Sequence, residues 1–376
     1  MINTEALREI NYIIENDSTS STYKYVLLKS VINASQKYDH LIKLENSRAN
    51  IPLGLIVEQW ILDYMPFVFK NIYQGTSKTT VLDKPISEIY NNIFNILNLD
   101  KSVEWVYAYM QFTKVLQNPT MSEELSKQFL KLAKKIADKI VNMPMRYTGK
   151  NEYEFFSPQR YKFGEVKLSS NEIYNSSFVV NDFGYFSISE QHYNIFRYLG
   201  QTLYGTSTIM SKWKQKTDSL NVNQEITKNI IDKISSDVLE VRETLSIRKI
   251  LDTEKECIWS GKELKNGNYD VDHVLPFSVW YNNDLWNILP TDRVVNQQKK
   301  KAKIPSRKLI EKRADVIMNY WSDYQKAMPQ LFNSQVKIAL IGMDTQQERV
   351  LDTAIESLCE KSDYLIYDRG HEAFII

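Results

Sequence analysis

The sequence predicts a mainly α-helical protein with small β elements. Apolar residues recur at helical spacing from residue 4 to about residue 145, which is the pattern of helices that turn one face to a core. Strand-like alternation is confined to short runs, near residues 150–190 and again near residues 269–290. Because 376 residues exceed what one hydrophobic core usually organises, we expect two domains or one domain with a substantial appendage.

The N-terminal region, residues 1–145, is predicted to be a helical domain that serves recognition or regulation. Within residues 123–141, five apolar residues spaced three or four apart define a core-facing stripe: Leu125, Phe129, Leu132, Ile136 and Ile140. The lysines between them could touch phosphates, but a solvated helix face is the favoured interpretation.

Residues 146–220 are predicted to form an aromatic-rich α+β insert. The run SSFVVNDFGYFSIS, residues 176–189, alternates aromatic and polar residues and so predicts strands. The aromatic and basic side chains of residues 190–217 could stack on nucleic-acid bases or pack a small sheet against helices. Residues 221–256 are predicted to be one connecting helix, because residues 222–250 are continuously amphipathic.

The composition argues against a mainly disordered or fibrous protein and against a uniformly basic one. Hydrophobic residues at 43 % and charged residues at 25 % are ordinary globular usage, and a net charge of +1 confines any nucleic-acid surface to a local patch. Two cysteines, Cys257 and Cys359, suit a reducing compartment. The N-terminus lacks the positive start of a signal peptide, and Glu58 and Asp63 interrupt the apolar run 51–69. We therefore expect a cytoplasmic protein without a membrane-spanning segment.

A strand, a loop and a second strand are predicted from residue 269 onwards. The run YDVDHVLP alternates and stops at Pro276, and a second short strand starts at Asn287. Strict alternation places Asp270 and Asp272 on one face and His273 on the other. Asp272 and His273 can therefore serve one site only if the strand bends or ends there.

The next run, TDRVVNQQKKKAK or residues 291–303, predicts a helix with Thr291 or Asp292 as its N-cap. Val294, Val295 and Ala302 are expected to pack it down. Offsets of three or four place a polar, cationic set on one face: Arg293, Asn296, Lys299, Lys300 and Lys303.

This arrangement resembles the HNH nuclease family, whose ββα-metal core holds a hard divalent cation between strand and helix. The match consists of Asp272 and His273, Asn287 14 residues after the histidine, Asn296 23 residues after it, and a lysine three residues further on. The run YDVDH is also similar to the HNH domain of RNA-guided CRISPR effector nucleases. The resemblance covers about residues 257–306 and implies a nuclease core over residues 257–310, followed by a C-terminal helical cap over residues 311–376.

The resemblance gives each matched residue a role. His273 is the implied general base, since a neutral imidazole can take a proton from water at physiological pH. Asp272 and Asn296 are the implied ligands of Mg²⁺, for which Mn²⁺ can substitute, and Asn287 is implied to order the loop around His273. Asp270 could be a further ligand, although a supporting charge beside the ligands is the favoured role. Five basic residues are expected to contact phosphates: Arg293, Lys299, Lys300, Lys301 and Lys303.

One departure from the family concerns zinc. The run CIWSGKEL, residues 257–264, lies where many members carry a Cys-x-x-Cys knuckle, but the second position is Ser260. We therefore expect no structural zinc, and expect the packing of Cys257 and Trp259 to replace it.

The resemblance implies a metal-dependent DNA endonuclease, with a layout similar to stand-alone bacterial nucleases of restriction and phage defence. DNA is the expected partner, and a homodimer or a defence-system partner protein is possible in addition. Two alternatives stay open: a catalytically silent HNH fold that docks DNA as a sensor or adaptor, and a nuclease that cleaves RNA.

Overall fold

The computed structural model is mainly helical with small sheets, as predicted. It describes residues 3–16, 19–75, 80–117, 121–159, 174–204, 209–222, 224–235, 244–251, 255–264, 269–280, 282–343 and 350–376. The chain divides into two compact units, Met1–Leu239 and Glu240–Ile376. The five-part division predicted from the sequence remains a finer prediction.

The first unit is built from α-helices and one small sheet. Its helices are α1 (Thr4–Glu15), α2 (Tyr23–Lys37), α3 (Leu53–Phe69), α4 (Lys84–Ile96), α5 (Trp105–Leu116), α6 (Glu123–Ile140), α7 (Ser176–Asp182), α8 (Glu190–Tyr204), α9 (Ile209–Leu220) and α10 (Gln224–Ser235). Its strands are β1 (Lys43–Glu45), β2 (Arg48–Pro52), β3 (Ser157–Gln159) and β4 (Tyr185–Ser189), paired antiparallel in the order β1-β2-β4-β3.

Helix α6 illustrates how the sequence specifies this unit. The side chain of Ser122 accepts the backbone N–H of Leu125, and two glutamates occupy the first turn, where they complement the helix dipole. The apolar stripe predicted for this helix is buried, so the prediction is confirmed.

Helix α3 carries the apolar run 51–69 almost entirely inside the protein. Its Asp63 is buried together with Lys29 of α2, at 2.5 Å between Nζ and Oδ1, because a buried charge needs a partner. The interpretation as a buried helix is therefore confirmed. None of the helices in the described ranges combines the length and apolar character that crossing a bilayer requires.

The small sheet differs from the prediction in two ways. The first half of the run 176–189 forms helix α7 and not a strand, because the side chain of Asn175 accepts the N–H of Phe178 and caps a helix there. The partner of β4 along its whole length is β2, which the sequence analysis did not identify. Residues 160–173 of the predicted insert lie outside the described residues.

The second unit starts with α11 (Thr244–Ile250), β5 (Lys255–Glu256) and β6 (Glu263–Leu264). The connecting helix predicted over 221–256 is thus described as two helices, α10 and α11, and residues 236–243 between them lie outside the described residues. The end of that prediction was wrong, because Lys255–Glu256 pair as a strand with Glu263–Leu264.

The rest of this unit begins with a hairpin. The hairpin is β7 (Tyr269–His273), α12 (Phe277–Trp280), the 3-10 turn Leu285–Asn287 and β8 (Ile288–Asp292), followed by the π-helix Val295–Lys300. Then come β9 (Ile304–Pro305), α13 (Arg307–Lys312), α14 (Ala314–Ala327), α15 (Pro329–Val336), the π-helix Lys337–Ile341, α16 (Val350–Asp363), the π-helix Tyr364–Asp368 and β10 (Ala373–Phe374). Strand β10 pairs in parallel with β9, so the C-terminal tail adds a strand beside the residues that follow the π-helix Val295–Lys300.

Two side chains of helix α14 donate hydrogen bonds to the backbone of the hairpin. The indole N–H of Trp321 donates to the carbonyl of Trp286 at 2.9 Å, and the hydroxyl of Tyr324 donates to the carbonyl of Ile288 at 2.7 Å. All four side chains are buried. A two-stranded hairpin is marginal alone, and these bonds fix the start of β8 to a helix.

Candidate active site

The hairpin sorts the candidate residues onto two faces. Strands β7 and β8 pair antiparallel from Tyr269 opposite Asp292 to His273 opposite Ile288. Burial alternates along β7, so that His273 points inward while Asp270 and Asp272 remain partly accessible. The predicted alternation is confirmed, and β7 ends at His273, which is one of the two conditions under which Asp272 and His273 could serve one site.

His273 is almost fully buried, with 3 % of its surface exposed. Its Nε2 lies 2.8 Å from Oδ1 of Asn283, and its ring centre lies 5.3 Å from that of Phe277. Asn283 was missed by the sequence analysis. The pair Asn-Asn at 282–283 carried no signal, because asparagine is common in any loop.

Asn287 lies in the interior and uses both ends of its amide. Oδ1 accepts the N–H of Leu275 at 2.8 Å, while Nδ2 donates to the carbonyl of Leu275 at 3.1 Å and to that of Asn282 at 3.0 Å. Its own carbonyl accepts the N–H of Val274 at 2.7 Å. One side chain thus ties the loop that follows His273 to the loop that precedes β8.

The residues from 293 to 300 form what we call the site helix: two α-helical residues, 293–294, followed by the π-helix Val295–Lys300. Asp292 is its N-cap, since Oδ1 accepts the N–H groups of Val294 at 3.0 Å and Val295 at 3.2 Å. Oδ2 of Asp292 accepts Nζ of Lys262 at 2.9 Å. The bond from Lys262 lowers the pKa of Asp292 most, and the capping bonds lower it further.

The site helix turns toward Asp270. Nδ2 of Asn296 donates to Oδ2 of Asp270 at 3.1 Å, Nε2 of Gln297 donates to the same oxygen at 3.2 Å, and Nε of Arg293 lies 3.3 Å from Oδ1. The structure therefore brings Asn296 to the acidic face of β7, through Asp270.

Lys300 departs from the predicted exposed face. It is 1 % exposed, and its Nζ lies 3.4 Å from Oδ2 of Asp272, which is 18 % exposed. Burial lowers the pKa of Lys300, and the attraction of Asp272 opposes that shift. A π-helix has more residues per turn than an α-helix, so residues three apart no longer share a face. Lys300, four residues after Asn296, faces β7 together with it, whereas Lys299, three residues after Asn296, is exposed.

The site helix also ends earlier than predicted. Lys301 has φ 50° and ψ −127°, which is outside the helical region, so the helix ends there and Lys301 and Lys303 lie beyond it. Lys301 is exposed, whereas Lys303 forms an ion pair with Glu372 beside β10. Arg293 and Lys299 are exposed on the helix as expected, but Val294 and Ala302 are exposed too, and Val295 is the buried member of the trio.

The donor set of this face fits a hard divalent cation. Asp272 offers a carboxylate and Asn296 an amide oxygen, and ions such as Mg²⁺ take one or two protein oxygens and keep several waters. Within the described residues, no group of three His, Cys, Asp or Glu side chains is close enough to hold an ion by itself. Such a cation would have to share Asp272 with the ammonium of Lys300.

The knuckle at residues 257–261 is held by Arg313. Its Nε donates to the carbonyl of Ile258 at 2.7 Å. Its Nη2 donates to the carboxylate of Glu256 at 2.8 Å and to the carbonyl of Cys257 at 3.1 Å. Gly261 completes the turn with φ 70°, where a side chain would be strained.

Two family models match this chain, and they match separate parts of it. The HNH endonuclease model matches residues 257–306, which include the hairpin and the site helix. HNH domains imply nucleic-acid binding and commonly use divalent metals. A second model, described as a domain of unknown function, DUF8808, matches residues 3–234, more than half of the chain. No curated protein matches the chain. The chain therefore belongs to the DUF8808 family, and its C-terminal unit carries an HNH endonuclease segment that contains the candidate site.

Proposed function

We propose that this chain is a Mg²⁺-dependent endonuclease that hydrolyses DNA phosphodiester bonds, with Mn²⁺ able to replace Mg²⁺. The observation that carries the proposal is the position of His273 at the end of β7, with Asp272 adjacent in sequence and Asn296 reached through Asp270. These residues fall inside the HNH match. The DUF8808 region would then supply recognition or regulation, and restriction or phage defence is the setting that the layout suggests.

In this proposal His273 takes the proton of the attacking water. A neutral imidazole has a pKa close to physiological pH, so it can accept a proton and pass it on. Its burial against Phe277 and its bond to Asn283 hold the ring in one orientation, which reduces the entropy lost on reaching the transition state.

Asp272 and Asn296 would hold the divalent cation. When bound, the cation offsets the negative charge that develops on the phosphate and the leaving oxygen. Asp270 keeps the amide of Asn296 in place, which supports the role of a charge beside the ligands over that of a third ligand.

Exposed basic side chains around the site helix would contact the nucleic-acid backbone. Arg293, Lys299 and Lys301 are exposed and can meet phosphates. Lys303 is engaged by Glu372, and buried Lys300 is assigned to Asp272 and not to the substrate.

The proposal is tested by incubating the full chain with supercoiled plasmid in Mg²⁺, Mn²⁺ or EDTA. We expect nicked or linear DNA in the two metal lanes, and its loss in His273→Ala and Asn296→Ala. The matched control is His371→Ala, a histidine of the same unit that lies outside the site and should leave cleavage unchanged. Intact plasmid in all wild-type lanes would contradict the proposal, and a labelled RNA cut under the same conditions would instead support the RNA-cleaving alternative.

A specific observation favours one alternative, a catalytically silent module that docks DNA. The ammonium of Lys300 already neutralises Asp272, and the Nδ2 of Asn296 already binds Asp270, so the acidic face is satisfied without a cation. Tight DNA binding that is insensitive to EDTA, without cleavage and equal in His273→Ala, would support that alternative.

A further inference from the structure

The contact between His273 and Asn283 points to one ring nitrogen as the one that carries the proton. Nε2 lies 2.8 Å from Oδ1 of Asn283, and an amide oxygen can only accept a hydrogen bond. In the neutral ring Nε2 must therefore be the protonated nitrogen. The unprotonated nitrogen of the neutral ring is then Nδ1.

The position of Asn283 is set by the residues on either side of it. Nδ2 of Asn282 donates to Oδ2 of Asp284 at 2.7 Å, and the N–H of Asp284 donates back to Oδ1 of Asn282 at 2.9 Å. Asp284 also accepts the indole N–H of Trp286 at 3.1 Å. The loop is thus closed on itself around Asn283, with a buried tryptophan as its anchor.

Asn287 connects this loop to the strand that carries His273. It donates to the carbonyl of Asn282 and pairs with both backbone groups of Leu275. The distance between the loop and the end of β7 is therefore fixed on both sides of the contact between His273 and Asn283. A side chain on a loop that is held from two directions loses little freedom when it orients a partner, which is how supporting residues act on catalytic ones.

We propose that Asn283 is the positioning residue of His273: it selects the tautomer with Nε2 protonated and so makes Nδ1 the unprotonated nitrogen of the neutral ring. Asn287 acts one step further away, by placing Asn283. The inference rests on the proposed function in that His273 needs a base atom at all, but the tautomer can be measured without any cleavage assay.

The test is the imidazole ¹⁵N spectrum of the full chain, labelled on histidine. The chain has 4 histidines, so His273 is identified by the signal that disappears in His273→Gln. At about pH 8, where a histidine of ordinary pKa is neutral, we expect wild-type His273 to show a protonated Nε2 and an unprotonated Nδ1. Asn283→Leu removes the acceptor and should move the two nitrogen shifts toward each other, as the tautomers mix. Asn283→Asp keeps an acceptor oxygen and should retain the wild-type tautomer.

The other three histidines are the control for folding. His192 is held by Ser189 at Nδ1 and by Glu9 at Nε2, and its shifts should be identical in all variants. If wild-type His273 is protonated at Nδ1, or if its shifts are unchanged in Asn283→Leu, the inference is wrong.

Cleavage kinetics give a second readout. Asn283→Leu should lower kcat by roughly 10- to 100-fold, as removal of supporting partners usually does, with KM unchanged because a positioning residue acts through His273. Asn283→Asp should restore most of kcat. If no variant cleaves DNA while the tautomer behaves as expected, the proposed function fails and the placement of the proton by Asn283 stands.

Discussion

The side chain of Asn287 pairs with the backbone of Leu275 through both its amide oxygen, at 2.8 Å, and its amide nitrogen, at 3.1 Å. The two bonds resemble the pair of backbone hydrogen bonds that joins opposite residues of antiparallel strands, but here one partner is a side chain. It continues the contact between the two strands past the end of β7, where the chain turns away at Pro276. The asparagine of the sequence pattern therefore shapes the loop after His273, and its effect on His273 passes through that loop.

Asn287→Ala should cost both stability and activity. It leaves the N–H and the carbonyl of Leu275 without their partner in a buried place, at a cost of roughly 1–3 kcal/mol. Urea unfolding followed by tryptophan fluorescence measures this, and exposed Asn151→Ala is the matched control. Unchanged stability together with full plasmid cleavage would contradict the role given to Asn287.

The pair of Lys300 and Asp272 predicts an asymmetry between two substitutions. Lys300 is the buried member and Asp272 reaches solvent, so removing the lysine leaves a carboxylate that water can reach. Removing the aspartate charge leaves an ammonium in the interior, which usually costs about 3 kcal/mol. Asp272→Asn should therefore be clearly less stable than Lys300→Met in urea unfolding at neutral pH. The reverse order would contradict the burial of Lys300.

The burial of Lys300 also predicts how the free energy of unfolding depends on pH. Burial lowers the pKa of Lys300 below 10.5 in the folded protein, so between that lowered pKa and 10.5 the unfolded chain binds more protons than the folded one. The stability of the wild type then rises with pH across this window relative to Lys300→Met, in which the group is absent. Exposed Lys299→Met is the matched control and should follow the wild type. Parallel curves for wild type and Lys300→Met would show that Lys300 has no lowered pKa.

Asp292 predicts that the free energy of unfolding depends on pH in the acid range. Here the titrating group is a carboxyl whose charged form is favoured in the folded protein. Its pKa is lowered from 3.8 by Lys262 and by the capping N–H groups, so the stability it contributes is present above about pH 3.8 and is lost as pH falls through the lowered folded pKa. Asp292→Ala should lower the free energy of unfolding at neutral pH by about 1 kcal/mol, as the loss of an N-cap does. The difference between wild type and variant should shrink in urea titrations toward pH 2. A constant difference would mean that the charge of Asp292 is not involved.

The pattern of the sequence predicted those parts of the site that depend on local periodicity. Alternation placed Asp270 and Asp272 on one face of β7, and turn chemistry placed Asp292 among the two candidate caps, because these depend on neighbours within a few residues. The burial of Lys300 could not be predicted, since it depends on which face of the site helix packs against β7. Asn283 could not be predicted either, because its function depends on the fold that brings the loop back to His273.

The first unit shows the same difference between features that depend on local spacing, which could be predicted, and features that depend on long-range pairing, which could not. The apolar stripe of α6 was readable from spacing alone, whereas β2 carries a Pro and an Asn and was recognised only through its pairing with β4. Helix α7 was missed because its cap, Asn175, lies next to a run whose aromatic and polar alternation favours a strand. Short segments have few residues to establish a period, so long-range pairing decides them.

The knuckle held by Arg313 gives the last prediction. Its guanidinium contacts three acceptors in residues 256–258, with two nitrogens arranged as a planar fork that lysine lacks. Arg313→Lys should therefore destabilise the C-terminal unit nearly as much as Arg313→Met, by about 2 kcal/mol, since bonds to a charged donor are lost in both. Exposed Arg8→Lys is the matched control and should leave the urea midpoint unchanged. If Arg313→Lys is as stable as the wild type, charge alone holds the knuckle, and the fork geometry of Arg313 contributes nothing to the turn that leads into the candidate site.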